Sequence, residues 1–315
     1  MAKKKLLLLG ISGLTGYKLG LGSSKTFDVF GTYNSRESVL DGVESFKFDI
    51  CNSDMGDMIA KIKPDLVINA TALHNVDYCQ TNPDDAYAVN TTFLDSLNNK
   101  SRDFGFKIIH ISTDYVFDGS KNKPYSEDDL PNPLSVYGQS KLKGERILLE
   151  SDHAVIRTSV IYGWTPLELV GKTSSSGKPI NFGMWLLTKL NKGEPLSIVT
   201  DQFASATLAD SLAESILTLA QNDSSGLYHI AGLSCESRYD FSIKLAKEFG
   251  YDPSLISKTD SSKFLQKAKR PNYSCLDSTK FRNNFGEKLL STEESLKIMR
   301  EQVSQDAPYL LGPNR

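Results

Sequence analysis

The sequence is poor in the residues that mark metal-binding and disulfide-rich proteins. Its 315 residues include only four histidines and four cysteines. The cysteines are Cys51, Cys79, Cys235 and Cys275. Because they stand singly, with no CxxC pair and no histidine at ligand spacing, neither a zinc site nor a disulfide framework is predicted. We expect reduced, buried thiols in a cytoplasmic protein, and no bound metal.

Charge of one sign and long apolar runs are also lacking. Lys and Arg total 36 against 38 for Asp and Glu, a formal net charge of -2. No block of like charge occurs, which argues against a nucleic-acid partner. The apolar run at 6–9 is too short for a secretion signal, and no stretch approaches the ~20 apolar residues of a membrane helix. We therefore expect a soluble protein that binds neither membranes nor nucleic acid.

The first half of the chain contains short apolar segments that alternate with helical patterns. Segments that are apolar on both faces indicate parallel strands covered on both sides. They lie at 5–9, 28–32, 45–48, 65–69, 107–112 and 154–157. A helix is predicted over 83–99. The repeat of strand and helix predicts an α/β fold, a Rossmann-type doubly wound parallel sheet with a smaller C-terminal substrate-binding lobe.

The pattern changes after Gly163. The glycine- and serine-rich segment 171–179 indicates a loop or lid, or plain surface chain. Further helices are predicted at 182–190 and 208–220, strands at 196–199 and 226–230, and a capping box of Ser291 and Glu294 opens a last helix. We predict a dinucleotide-binding domain over 1–163 and 196–232. The substrate-binding lobe is predicted over 164–195 and 233–315.

A glycine-rich turn follows the first strand. Gly10, Gly13 and Gly16 have GxxGxxG spacing and lead into a helix. A pyrophosphate reaches the free N–H groups of a helix only where no Cβ intrudes, so this turn predicts a dinucleotide site. A glycine-rich turn without a ligand is the alternative. The predicted contacts are Gly10, Ser12, Gly13, Leu14, Thr15 and Gly16.

The second and third strands bear on which dinucleotide binds. No carboxylate follows the second strand to accept from a ribose hydroxyl; Asn34 and Arg36 stand there instead. A guanidinium suits a 2'-phosphate, which favours NADPH, with NADH as the alternative if Arg36 is only a solvated charge. Asp49 and Ile50 are predicted to flank the adenine, unless Asp49 is an ordinary loop carboxylate.

A tyrosine and a lysine lie four residues apart in VYGQSK. Ser135 can cap a helix on which Tyr137 and Lys141 share one face. The strand ending at Ser112 and Thr113 reaches the sheet edge where α/β folds bind ligands. A free phenol has a pKa of about 10, so we expect the Lys141 ammonium to stabilise the phenolate, while Thr113 orients a substrate carbonyl.

Several motifs together resemble one family. They are GISGLTG, NATA at 69–72, AYAVN at 86–90, STDYVFDG at 112–119, NPLSVYGQSKLKGE at 132–145, RTSVIYG at 157–163, VTDQFASAT at 199–207, GLYHIAG at 226–232 and RPNYSCLDSTKF at 270–281. The chain resembles an extended short-chain dehydrogenase/reductase and, within that group, the dTDP-4-dehydrorhamnose reductases. The resemblance covers nearly the whole chain.

The resemblance implies a reaction and a set of residues. It implies NADPH-dependent reduction of the C4 keto group of a nucleotide-linked 6-deoxyhexose, dTDP-4-dehydrorhamnose giving dTDP-L-rhamnose. Thr113, Tyr137 and Lys141 would be catalytic, with Tyr137 and Lys141 also meeting the cofactor. Asn90 would support the lysine through water, or be an exposed polar residue. Ala70, Thr71 and Ala72 would complete the cofactor site. The family also allows a homodimer.

The substrate site is where the chain departs from the family. The residues expected to meet the nucleotide sugar are His74, Val76, Thr113, Asp114, Tyr115, Phe117 and Arg270. His74 and Gln80 replace a threonine and a glutamate, and we favour solvent over sugar for His74. Val160 replaces an aromatic residue, and Ala204 and Ala206 replace turn formers. These changes leave another 4-keto or 4-hydroxy sugar nucleotide open.

Arg270, Trp185 and three histidines remain to be interpreted. Arg270 would pair with a diphosphate or tie the lobes together, since a guanidinium forks onto two oxygens. Trp185 is predicted in the core of the smaller lobe, with a platform that stacks on the nucleotide base as the alternative. His110, His153 and His229 have no evident partners and are predicted to be structural.

The sequence leaves two other functions open. One is an epimerase or dehydratase of the same superfamily, although Asp114 followed by Tyr115 disfavours a dehydratase. The other is a non-catalytic NADP-binding regulatory subunit, resembling that of methionine adenosyltransferase.

Overall fold

The computed structural model describes residues 2–37, 40–166, 181–286 and 289–313. The segment 171–179, predicted as a loop or lid, lies outside the described residues. Within the described ranges, no helix combines the length and the apolar character needed to cross a bilayer.

A seven-stranded parallel sheet forms the centre of the larger part of the fold. The strands of the described residues are β1 (Lys5–Leu9), β2 (Asp28–Tyr33), β3 (Val43–Lys47), β4 (Leu66–Asn69), β5 (Lys107–Thr113), β6 (Ala154–Thr158), β7 (Ile161–Tyr162), β8 (Leu196–Val199), β9 (Phe203–Ala204), β10 (Thr207–Leu208), β11 (Gly226–His229), β12 (Glu236–Ser237) and β13 (Ile256–Thr259). The order in the sheet is β11-β6-β5-β4-β1-β2-β3. This is the Rossmann order, extended by β11, and its switch point lies between β1 and β4.

Helices cover both faces of this sheet. The helices of the described residues are α1 (Leu14–Ser23), α2 (Gly56–Ile62), α3 (Val76–Thr81), α4 (Pro83–Tyr87), α5 (Phe93–Phe104), α6 (Val136–Leu149), α7 (Phe182–Asn191), α8 (Ala209–Gln221), α9 (Arg238–Glu248), α10 (Thr279–Phe285) and α11 (Thr292–Asp306). Side chains of β1 alternate: Leu6 and Leu8 face the core beneath α1 and α8, whereas Leu7 and Leu9 face the core beneath α2 and α5. The unbroken apolar run of the first strand is therefore explained by burial on two sides.

A second core lies apart from the sheet. It is built from α7, α9 and α11, and Trp164 is its largest fully buried side chain. The strand β8 pairs with β13 and contributes Leu196 to this core, so it lies outside the large sheet to which β11 belongs. Trp185 packs at the border of this core against Phe182. The boundaries proposed for the two domains stay a prediction.

The helix predicted over 83–99 is interrupted. After α4, a π-helical turn spans Ala88–Thr92 before α5 begins. Within that wide turn the Asn90 carbonyl approaches α6 so closely that a Cβ on Gly144 would lie 2.4 Å from its oxygen. Wide turns of this kind are frequent at functional sites.

The cysteines correct one expectation. Cys235 and Cys275 form a disulfide with their Cα atoms 5.5 Å apart, whereas Cys51 is exposed and Cys79 is buried. The prediction of four buried, reduced thiols was therefore wrong for three of them. Because the two bonded residues lie 40 positions apart, sequence spacing gave no signal; β9 brings them together, since it pairs with β12 and its Phe203 also pairs with Tyr273.

Loss of this cross-link is expected to destabilise the chain. A disulfide that closes a loop of 40 residues restricts the unfolded state, so replacing both cysteines by serine should lower the free energy of unfolding by about 2–4 kcal/mol. Urea unfolding under oxidising conditions measures the difference. The same replacement at Cys51, which has no disulfide partner, is the control. Equal midpoints for the double variant and the unmodified protein would contradict this expectation.

Candidate active site

The turn after β1 forms a cradle closed by backbone atoms. A Cβ on Gly16 would lie 2.1 Å from the Gly10 carbonyl oxygen, and one on Gly10 would lie 2.8 Å from Thr71 Cγ2. Helix α1 begins at this cradle, no side chain caps its first turn, and that turn carries no acidic residue. The free N–H groups and positive end of α1 therefore fit a diphosphate.

Gly16 gives a direct test of this cradle. Alanine there would collide with backbone, so we expect Gly16→Ala to cost about 1–3 kcal/mol of stability and to abolish most NADPH binding. Gly22→Ala, in the same helix, is the matched control because its Cβ would meet only the end of the Leu217 side chain. Fluorescence titration with NADPH separates the two. Unchanged affinity in Gly16→Ala would show that the cradle does not hold the diphosphate.

The residues predicted for the adenosine end lie beyond neighbouring strands. Asn34 and Arg36 follow β2, with Asn34 exposed and Arg36 half-buried. Asp49 and Ile50 follow β3. The Asp49 carboxylate accepts from Asn52 Nδ2 at 2.9 Å and from the Cys51 N–H at 3.0 Å, and these bonds lower its pKa. Asp49 thus braces its own turn, while its contact with adenine stays a prediction.

The segment after β4 joins the cradle to α6. Thr71 donates both its N–H and its hydroxyl to Asn69 Oδ1, at 3.0 and 2.6 Å. Ala70 and Ala72 flank it, half-buried. Asn90 holds the main chain of Leu73 through both of its amide atoms and also donates to Ser140 Oγ at 3.1 Å. It is buried, which excludes the exposed alternative, and no direct bond from its side chain to Lys141 occurs among these contacts.

Thr113 ends β5 at the same edge of the sheet. Its Oγ1 accepts from the Tyr115 N–H at 3.2 Å and donates to Asp114 Oδ1 at 3.1 Å. Asp114 is buried and also accepts from Ser159 and Ser274, at 2.8 and 2.5 Å. Burial raises the pKa of the Asp114 carboxyl, and the hydroxyl donors oppose this shift.

Helix α6 begins beside Thr113. Ser135 caps it by accepting from the Gly138 N–H at 3.3 Å, as expected, and Gln80 Oε1 accepts from the Val136 N–H at 3.2 Å. Gln80, one of the departures from the family, thus fixes the start of this helix. Tyr137 lies in its first turn, half-buried, with its ring edge-on to Tyr115 at 5.9 Å between centroids.

The acidity of Tyr137 differs from the expectation. Burial raises the pKa of Tyr137, a hydrogen bond with Thr113 opposes the shift, and the Asp114 carboxylate adds to it. In this state the phenol therefore keeps its proton and is not a phenolate stabilised by a neighbouring ammonium. The reason is that desolvation of the phenolate outweighs the stabilising bond.

Lys141 is buried one helical turn later. Its Nζ lies 2.8 Å from His110 Nε2 and donates to the Ile111 carbonyl at 2.7 Å. Burial lowers the pKa of Lys141 to about 7, and the Glu145 carboxylate opposes this shift. The amine is thus poised to change its protonation state near neutral pH.

A buried ion pair supports the same face of α6. Arg157 Nη2 lies 2.7 Å from Glu145 Oε2, and Arg157 Nε donates to both carboxylate oxygens at 3.1 Å. The Ser112 hydroxyl donates to Glu145 Oε1. Because Ser112 and Arg157 are opposite one another in the β5–β6 register, one glutamate contacts both strands.

The residues expected to meet the substrate separate into two groups. Asp114, Tyr115 and Phe117 lie in or next to the 3-10 turn that follows Thr113. The second group lies earlier in the chain: His74 is exposed, and Val76 is the first residue of α3, the helix that also contains Gln80. Arg270 Nη2 pairs with Asp77 Oδ2 at 2.8 Å, which ties the 270 segment to α3.

Two departures from the family lie in the second core. Ala206 is buried there, and Val160 packs against it with φ at 42°, a conformation that β-branched residues rarely adopt. Ala204 lies in β9, which pairs with β12.

Sequence reasoning missed two groups of buried contacts. His110, expected to be without a partner, contacts Lys141, and Asn69 and Ser274 had no assigned role. The prediction that His153 and His229 lack partners was also wrong, because His153 bonds Ser101 and His229 bonds the Tyr125 carbonyl. One signal was present in the sequence: His110 and Ser112 are two residues apart in β5, so both lie on the face that α6 covers.

Comparison with known proteins supplies independent findings. Residues 4–305 match the model of the RmlD substrate binding domain. A dTDP-4-dehydrorhamnose reductase of Escherichia coli K12 is 30% identical over 316 residues, covering 95% of this chain and 97% of the relative. A probable low-salt glycan biosynthesis reductase, Agl14 of Haloferax volcanii, is 32% identical and covers 88% and 90%.

A solved structure agrees with these sequence relatives. The dTDP-4-dehydrorhamnose reductase of Bacillus anthracis, in complex with NADP, superimposes with a TM-score of 0.82 at 26% identity. The superposition covers 95% of this chain and 99% of that one. The chain thus shares both its fold and its full extent with a reductase of known structure.

Proposed function

This chain belongs to the RmlD substrate binding domain family, and from that premise we propose that it is an NADPH-dependent reductase of a nucleotide-linked 4-keto-6-deoxyhexose. The substrate favoured is dTDP-4-dehydrorhamnose, with dTDP-L-rhamnose as the product. NADH is the alternative reductant. The observation that carries the proposal is the placement of Thr113 at the carboxyl end of β5 and of Tyr137 and Lys141 on the first turns of α6.

The cofactor, when bound, supplies a hydride to the carbonyl carbon. The cradle around Gly10 and Gly16 would hold its diphosphate, and Lys141 would reach a ribose hydroxyl with an N–H. Arg36 would meet a 2'-phosphate, which is the reason to favour NADPH. The diphosphate role is supported by the free first turn of α1 and by the position of the cradle after β1, at the switch point between β1 and β4.

Tyr137 is proposed as the proton donor. Reduction of a ketone needs a proton on oxygen as the hydride arrives, and a phenol that retains its proton is in the required state. Thr113 would donate a hydrogen bond to the same carbonyl oxygen and stabilise its developing charge. In this structure Thr113 donates its single hydroxyl hydrogen to Asp114, so the hydroxyl would have to turn from Asp114 to the carbonyl when substrate binds.

The assay follows the loss of reduced nicotinamide absorbance. Purified protein with NADPH and dTDP-4-dehydrorhamnose should consume cofactor in proportion to substrate, and a parallel series with NADH gives the cofactor preference. No consumption with this or any other 4-keto sugar nucleotide would refute the proposed function and favour a non-catalytic NADP-binding subunit. Turnover without net cofactor consumption would indicate an epimerase.

Two further properties are proposed on the same premise. A cytoplasmic location agrees with the supply of nucleotide sugars and reduced cofactor in that compartment. A homodimer follows the family resemblance, and light scattering of the purified chain tests it.

A further inference from the structure

A chain of buried polar contacts runs from the cofactor side of the sheet to Lys141. Asn69 and His110 are opposite one another in the β4–β5 register, and Asn69 Nδ2 lies 3.2 Å from His110 Nδ1. His110 Nε2 in turn lies 2.8 Å from Lys141 Nζ. All three side chains are 1% exposed, so wherever two of them face each other a donor must meet an acceptor.

The direction of the hydrogen bonds in this series is set at Asn69. The Thr71 N–H can only donate, and its acceptor is Asn69 Oδ1 at 3.0 Å. Asn69 must therefore turn its amide nitrogen, which is a donor, toward His110 Nδ1. His110 Nδ1 then accepts this hydrogen bond, so the hydrogen of the neutral imidazole lies on Nε2.

His110 is neutral for reasons of its own. Burial holds the pKa of His110 well below its usual value, and the neighbouring Lys141 adds to this effect. With its hydrogen on Nε2, the imidazole donates toward Lys141 Nζ. An ammonium has no lone pair to accept with, whereas an amine has one.

We propose that His110 is a positioning residue for the reductase, which holds Lys141 as a neutral amine by donating Nε2–H to the Nζ lone pair. One N–H of the amine then binds the Ile111 carbonyl, at 2.7 Å, and the other is free to meet a ligand hydroxyl. Lys141 can take up a proton after Tyr137 has released its own. The assignment to catalysis rests on the proposed function, but the protonation state itself does not.

The other charged groups around Lys141 do not reverse this balance. Glu145 lies one turn further along α6, but the Arg157 guanidinium of β6 neutralises it. Tyr137, one turn earlier, stays protonated; Cys79 of α3 and Asp114 after β5 both raise the pKa of Tyr137. Burial lowers the pKa of Lys141 to about 7, which agrees with an amine at slightly alkaline pH.

Replacing Asn69 by aspartate tests the direction of the hydrogen bonds. In Asn69→Asp one carboxylate oxygen still accepts from Thr71, while the other accepts from His110 Nδ1. The imidazole hydrogen then moves to Nδ1, and Nε2 becomes an acceptor for an ammonium. The titration midpoint of Lys141 should rise by about one unit or more.

NMR of the full chain with isotope-labelled lysine side chains measures this midpoint without substrate. The Lys141 signal is assigned by its loss in Lys141→Arg. His110→Gln, whose amide can turn its oxygen toward Nζ, should also raise the midpoint and serves if Asn69→Asp fails to fold. Asn98→Asp, which places the same change beside the buried His153, is the matched control and should leave Lys141 unmoved.

The outcomes separate this inference from the proposed function. A Lys141 midpoint near that of a free lysine in the unmodified protein, or one that is unchanged in both Asn69→Asp and His110→Gln, would overturn the inference. Absence of turnover with every sugar nucleotide would refute the reductase and leave the titration result standing. A shifted pH–rate profile in Asn69→Asp, with unchanged NADPH affinity, would connect the two.

Discussion

Tyr137→Phe is expected to lower kcat by about 10²–10⁴-fold, because the variant keeps the ring but removes the only hydrogen the residue can give. That loss corresponds to about 3–5 kcal/mol of transition-state stabilisation. The ring still packs edge-on against Tyr115, so the fold and the cradle of α1 should be unaffected. Single-turnover kinetics with NADPH, beside a fluorescence titration of NADPH binding, measure the two properties separately.

Tyr87→Phe is the matched control for this experiment. Tyr87 ends α4 and its ring lies under Lys143 Nζ at 5.6 Å, a contact that phenylalanine retains. We expect kcat to be unchanged there. If Tyr137→Phe lost NADPH binding to the same degree as its rate, Tyr137 would be a structural residue and not the proton donor.

The second large effect concerns stability. Arg157→Met removes one partner of the buried ion pair and leaves the Glu145 carboxylate, which is 0% exposed, without a counter-charge. Breaking such a pair typically costs about 3–5 kcal/mol, because the remaining charge has lost both its partner and its water. Urea unfolding monitored by circular dichroism should show the decrease.

A double variant distinguishes an unpaired charge from lost packing. Adding Glu145→Gln removes the charge and preserves an acceptor for Ser112, so it should recover much of the stability lost in Arg157→Met. Lys107→Met, at the surface pair with the largely exposed Asp152, is the control and should change the midpoint far less. Failure of the double variant to recover any stability would show that packing of Arg157 against Phe117, and not charge, is what matters.

The fold was readable from the sequence because burial on two faces leaves a strong pattern. Five of the six predicted strands of the first half lie within one residue of the observed ends, and β1 matches at both ends. The repeat of strand and helix also predicted the parallel, doubly wound sheet that the structure has. The π-helical turn at 88–92 could not be read, since a helical period carries no signal for one extra residue.

The candidate site was only partly readable. Residue types at a helix start and a strand end brought Tyr137, Lys141 and Thr113 together, but not their protonation. The direction of the Tyr137 pKa shift depends on how much water the fold removes from the phenol, and a single sequence does not contain this information. Likewise, His110 contacts Lys141 because α6 crosses β5, a tertiary relation that local spacing does not encode.

The wide turn at Ala88–Thr92 limits how this region can change in length. Each residue of a regular helix advances the winding by about 100°, so deleting one residue there would restore regular winding and rotate α4 against α5 by roughly that angle. Asn90 and Thr91 would then swing away from Ser140, to which both are bonded. Substitutions along 83–104 are therefore tolerated more readily than insertions or deletions, and the residue count of this segment is itself a structural constraint.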